Sequence, residues 1–207
     1  MKQKRFIRKA MHFALMLAIL SLSVMTGCKS NPSNPKKLEA EESIKLAEEK
    51  PTIRQWGTAK HHKQAFAIQF AEADARGKIA RAIKSAITTA SNDAGYSFDK
   101  YSTDGKVGST VTDEDGKSNA FIEAVTNEAV ANTSVIKTDR YLLENGQYEI
   151  YVCVEFNEGI SEISKSIVNN ITQRVSEEDR VKIEVRTEEF QDKIAKKIAK
   201  NMQDQNL

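Results

Sequence analysis

The chain has 207 residues, 29% of them charged and 7% aromatic, enough for one ordinary domain with appendages. Its formal charge of +2 comes from the leader: five of the 31 basic groups (Lys2, Lys4, Arg5, Arg8 and Lys9) precede residue 28 with no acid among them, leaving 26 against 29 acidic groups. A weakly acidic body exerts no pull on a phosphate backbone, so DNA and RNA are excluded as partners.

The first 27 residues read as a bacterial export signal: basic Met1–Arg8, apolar Phe13–Met25, then small Thr26 and Gly27. Thirteen apolar residues at about 1.5 Å each span about 20 Å, short of the roughly 30 Å hydrocarbon core, which argues against a permanent spanning helix. Met25-Thr26-Gly27-Cys28 resembles the lipobox of bacterial lipoproteins, with methionine where leucine is commonest. The resemblance implies that Cys28 carries fatty acyl chains, palmitate among them, and becomes the first mature residue. Several buried chains at about 0.8 kcal/mol per methylene hold permanently where one would be marginal. Lys29, with no acidic cluster behind it, points to the outer membrane facing the periplasm.

Residues 28–51 form a tether and a marginal helix. Two prolines, two asparagines and two serines in 30–35 cannot build a core, while 38–50 has helix-forming composition that Pro51 ends. An α+β domain is expected over 52–175. It opens with a short strand, Ile53–Ala59, in which Trp56 is expected to seal the core. The strongest helical signal follows from His61 to Ala90. Phe66, Phe70, Ala73, Gly77, Ala80, Ile83, Ile87 and Ala90 form one stripe, widened by Ala67, Ala71, Ala75, Ile79, Ala82 and Ala86. So many small residues predict close approach to a sheet, with Gly77 as the expected crossing point.

Residues 91–118, with Asp104-Gly105 and Asp115-Gly116, are expected to be a long exposed loop, and Asn119–Asn132 a helix bearing Phe121, Val125 and Ala129. Two strand patterns then flank Asn145-Gly146, the dipeptide of a two-residue type I′ hairpin. That register sets Leu143 against Tyr148, Tyr141 against Ile150 and Val135 against Phe156, with Val152 and Val154 on the same buried side. It also places Lys137 and Asp139 there, which calls for a bulge or a sheet rim. A third helix carries Ile160, Ile163, Ile167 and Ile171 to about Arg174. Ser176 and Asp179 then form a capping box that opens a charged C-terminal helix over 176–207, with one apolar stripe of Phe190, Ile194, Ile198 and Met202 for its own domain or for a partner chain.

Chemistry is sparse along this chain. His12 is in the leader, and adjacent His61 and His62 on a helix start point about 100° apart, so no metal set forms. With Cys28 acylated, Cys153 stays unpaired, either shielded or open to pairing with another chain. Asp113-Glu114-Asp115-Gly116 begins like an EF-hand loop but continues with Lys117 and Ser118 where a ligand and glycine are needed. GxGxxG, GxxxxGK[ST] and GxSxG are absent, so neither a catalytic residue nor a cofactor site is expected.

Trp56-Gly57-Thr58-Ala59, the alanine-rich run Ala65–Ile83 and the late Gly146–Glu155 strand together resemble the Helicobacter-type small lipoprotein ("LPP-twenty") domain over roughly residues 52–157. The resemblance implies a small antiparallel sheet, the Trp-Gly strand plus the late hairpin, packed by a long alanine-rich helix in an envelope lipoprotein without a catalytic motif. The chain departs from that pattern in its polar 91–118 segment and its extra C-terminal helices. The expected role is a membrane-anchored, non-enzymatic module that contacts an envelope protein partner. The alternative is a small-ligand-binding lipoprotein with Trp56 or the Tyr141/Tyr148 pair lining the pocket.

Overall fold

The computed structural model describes residues 41–98, Tyr101 and 114–206. Cys28, the leader and the tether lie outside the described residues, as does Asp104-Gly105. The elements are α1 (Glu42–Glu49), β1 (Arg54–His61), α2 (Gln64–Ala94), α3 (Glu114–Ala131), β2 (Thr133–Leu142), β3 (Tyr148–Phe156), α4 (Ile160–Arg174), α5 (Glu177–Glu184) and α6 (Thr187–Asp204). The fold is α+β, with three antiparallel strands in the order β1-β3-β2, the long α2 packed on one face and the short α1 on the other. Residues 40–207 form one compact unit, so neither 51/52 nor 175/176 is a break in packing.

The sheet meets α2 at Gly57. A methyl group built on Gly57 would stand 2.3 Å from the Ala71 carbonyl oxygen and 2.4 Å from the Ala75 nitrogen, so strand and helix touch backbone to backbone. At that separation only the smallest side chains fit between them, and Ala67, Ala71 and Ala75 are fully buried there. Further along the helix the stripe enlarges to Ile79, Ile83 and Ile87, all fully buried. Phe66 and Phe70, expected inside, are exposed because their rings have no room on the alanine side. Gly77 is not the crossing point: a methyl there would meet only the Arg81 guanidinium, at 3.5 Å.

The hairpin loop is one residue longer than a type I′ turn, beginning at Glu144. Within the loop only Gly146 takes positive φ (76°); its N–H donates to the Leu143 carbonyl, and the Leu143 N–H donates to the Gln147 carbonyl. The loop is therefore the three residues Glu144–Gly146, a type I turn followed by a left-handed glycine. The Asn145 carboxamide oxygen accepts from the Gln147 N–H at 3.0 Å and secures it. Leu142 now faces Tyr148, Arg140 faces Ile150 and Tyr141 faces Glu149. A register shift between Val135 and Lys137 reverses the alternation, so Val135 returns to the core side opposite Val154. Lys137 and Asp139 lie on the other face. The side of β3 expected to be buried is buried: Ile150, Val152, Val154 and Phe156 line the core.

The remaining helices complete that core. Ile163, Ile167 and Ile171 of α4 and Phe190, Ile194, Ile198 and Met202 of α6 are all buried, and α6 lies along both α2 and α4. The C-terminal stripe therefore docks on its own domain. Its helix is broken at Val185-Arg186, where the Thr187 hydroxyl donates to the Ile183 and Glu184 carbonyls, 3.1 Å each, in place of a continuous ladder. The Ser176 N-cap is present, its hydroxyl accepting from the Asp179 N–H. The segment expected as a long loop is partly structural, since α2 runs to Ala94 and Asp115-Gly116 falls inside α3. Phe98 and Tyr101 are buried, and the Tyr101 hydroxyl donates to the Asp179 carboxylate at 2.5 Å and accepts from the Ser176 N–H at 3.0 Å.

Gly57→Ala is expected to destabilise the fold by about 3 kcal/mol or more, because neither backbone can retreat, whereas Gly77→Ala should stabilise it by about 0.5–1 kcal/mol. Urea unfolding of the two variants measures the contrast. Tyr101→Phe should lose about 1.5–3 kcal/mol through its hydrogen bond to a charged group, measured in the same way.

Candidate functional site

The sheet face turned away from α2 is polar, and α1 covers it. Alternation places Arg54, Trp56, Thr58 and Lys60 of β1, Glu149, Tyr151, Cys153 and Glu155 of β3, and Lys137, Asp139 and Tyr141 of β2 on this side. Ser43 is the central fastening: its N–H donates to the Asp139 carboxylate at 2.8 Å, and its hydroxyl to the Tyr151 carbonyl at 3.3 Å. Asp139 thereby takes one of the N–H groups that a first helical turn leaves without a partner. Lys137 pairs with Glu42, and the Tyr141 hydroxyl donates to Glu41. At the other end of α1 the Arg54 guanidinium donates to the Leu46 carbonyl at 3.0 Å. Its Nε lies 3.2 Å from Glu155, an ion pair by distance whose angle falls outside a hydrogen bond.

The outer pairs of this layer are open to solvent, which screens them, so each contributes little to stability. Arg54 differs, because it is buried and the loss of a carboxylate partner would leave its charge uncompensated. Tyr141 is pushed up to about 12, first by its hydrogen bond to Glu41 and then by burial; Tyr151 is raised mainly by burial and then by its bond to Glu149. Such groups keep their protons at neutral pH and act here as donors to fixed carboxylates. Cys153 is free, fully buried between α1 and the sheet, and raised to about 12 chiefly by that burial. A thiol held protonated and out of solvent is no nucleophile.

The residues expected to line a ligand pocket do not converge. Tyr141 lies on the α1 face and Tyr148 on the α2 face, a separation that follows from the one-residue register change. Trp56 does not seal the core; it is half-buried on the α1 face, with the Lys78 ammonium 3.9 Å from its ring centroid and donating to its carbonyl at 2.8 Å. Three surface grooves of about 230, 390 and 590 Å³ have none of these three aromatics in their linings. The 390 Å³ groove is the apolar one, between Tyr96 and the Val181/Val185 side of α5. Among the described residues no cluster of three His, Cys, Asp or Glu could hold a metal ion. His61 instead packs edge-on against Phe66 and Phe70.

Compared with family models, curated proteins and solved structures, the chain matches none. What the sequence did not reveal is the clamp of Ser43 and Asp139 beneath α1. Its one trace was Lys137 and Asp139 at positions that the two-residue turn assigned to the core.

Cys153 should resist thiol reagents at pH 8 until the protein unfolds. Ala47→Asp, which puts a charge at a fully buried α1 position, should speed its labelling while the circular dichroism of the remaining helices persists. An unchanged rate would show that α1 is not its cover. Because the folded state holds the Cys153 proton to about 12 while the unfolded chain releases it in the ordinary thiol range, stability should fall as pH rises through that window.

Proposed function

We propose that the protein is a lipid-anchored lipoprotein of the bacterial cell envelope, whose α+β domain is a non-enzymatic module working through contacts with an envelope protein. The observation that carries this reading is Met25-Thr26-Gly27-Cys28 behind a basic and then apolar leader. The resemblance of residues 52–157 to the small lipoprotein domain points the same way. The clamp on α1 supports it as well. A chain arriving from Cys28 enters the domain at Glu41, and Glu41, Glu42 and Ser43 are each fastened to strand side chains or to the strand backbone. A load on the anchor therefore reaches the sheet instead of peeling one helix. The polar groups of that face are engaged with one another, which suits a mechanical role better than acid–base chemistry.

Metabolic labelling with a radioactive fatty acid should mark the wild-type chain and leave Cys28→Ala unlabelled, with the wild type sedimenting with membranes. Label that persists in Cys28→Ala would end the reading. The module role is checked by crosslinking in intact cells followed by reciprocal purification from the partner's side, with a specific envelope protein as the expected product.

A further inference from the structure

Phe66 and Phe70 stand one turn apart on α2, 42% and 53% exposed, their rings nearly parallel with centroids 6.3 Å apart. His61 closes on both edge-on at 5.2 and 5.8 Å, and the Lys63 ammonium lies 5.6 Å from the Phe66 centroid. Across the end of the sheet, the register carries His61 to Tyr148 and Tyr148 to Leu142, which is 67% exposed. One apolar strip thus runs from α2 to the hairpin. Lys63 and exposed Arg140 border it and have no acidic partner among the described residues; residues 60–71 contain no acid, and Glu144 is the acid on the hairpin loop.

We infer that this strip, Phe66, Phe70, His61 and Leu142 with Lys63 and Arg140, is a bilayer-interface contact that lays the anchored domain on the membrane. The inference rests on the lipid anchor proposed above. Three observations select a lipid surface over another occupant. Aromatic rings bordered by cations suit the headgroup level of an anionic membrane. The chain also enters the domain at this end: Glu41 accepts from Tyr141, the neighbour of Leu142, and the thirteen residue-to-residue steps from Cys28 to Glu41 reach at most about 45 Å. Finally, the partly exposed rings and Leu142 offer only a few hundred Å², against the roughly 500 Å² that each side contributes to even a small stable protein interface of about 1,000 Å² in total. That is too little for a free partner or a second copy, yet sufficient for a surface already held within reach, where binding is effectively intramolecular.

The test uses the lipidated full-length product, purified from membranes and reconstituted into vesicles of phosphatidylethanolamine and phosphatidylglycerol. A nitroxide is placed at Gln69→Cys beside the rings or, as a control, at Gln203→Cys on α6; buried Cys153 leaves the new thiol as the labelling site. Collision with oxygen should exceed collision with a water-soluble nickel complex at 69 and not at 203. Phe66→Ala/Phe70→Ala should return position 69 to aqueous behaviour, and Lys63→Glu should weaken the contact. A label at 69 that is aqueous, that is insensitive to the double alanine change, or that is broadened by a second label overturns the inference, the last in favour of a second copy. In each of those cases the vesicles still float with the protein, so the anchor reading stands. Protein that does not float ends the anchor reading, and this one with it.

Discussion

The whole domain is built on the contact of Gly57 with the Ala71–Ala75 turn of α2. Backbone atoms meet there with no space for a single methyl group, so the helix is drawn against the sheet as closely as peptide groups allow. From that distance follows the sorting of α2. Ala71 and Ala75 meet the strand, Ile79, Ile83 and Ile87 are buried further along, and the two phenylalanines are turned out to solvent. A bulkier residue on either side would widen the gap and take the apolar face of β3 out of close packing.

The other face of the sheet is held by different physics. Here hydrogen bonds and ion pairs around Ser43, Asp139 and Arg54 fasten a helix of only eight residues, too short to stand alone in water. The fastening depends on the shift near Ile136, which turns Lys137 and Asp139 toward α1 while leaving Val135 in the core. One bulge thus lets a single strand serve a dry face at one end and a polar, helix-binding face along the rest. Cys153 records the result: it sits on the polar side of the alternation and is nevertheless buried, because α1 closes over it.

Much of this architecture could be read from residue spacing. The helix read over 61–90 is found at 64–94, with His61 closing β1 instead of opening the helix, and the isoleucines of α4, the Ser176–Asp179 cap and the apolar side of β3 appear where they were expected. The choice between two overlapping stripes on α2 was not legible, since Phe66 and Phe70 share the helical period with the alanines and only the distance to the sheet separates them. Nor was the hairpin register. Asn145-Gly146 marks a turn, but whether two residues or three bridge the strands depends on the conformation of Asn145, and that one residue decides which side Tyr141 takes. The α1 clamp was hidden for a similar reason, because Ser43 and Asp139 lie 96 residues apart and neither belongs to a motif.

By itself the sequence determined the local features of the described residues: a strand, a long helix, a late hairpin, and helices that alternate apolar and charged faces. These are set by interactions between residues a few positions apart, which periodicity, caps and turn dipeptides report directly. Only the tertiary structure decided which alanine face meets Gly57, which strand side chains fasten α1, and which aromatics remain outside. Those outcomes depend on the separation of backbones far apart in the chain, a quantity that no local pattern encodes.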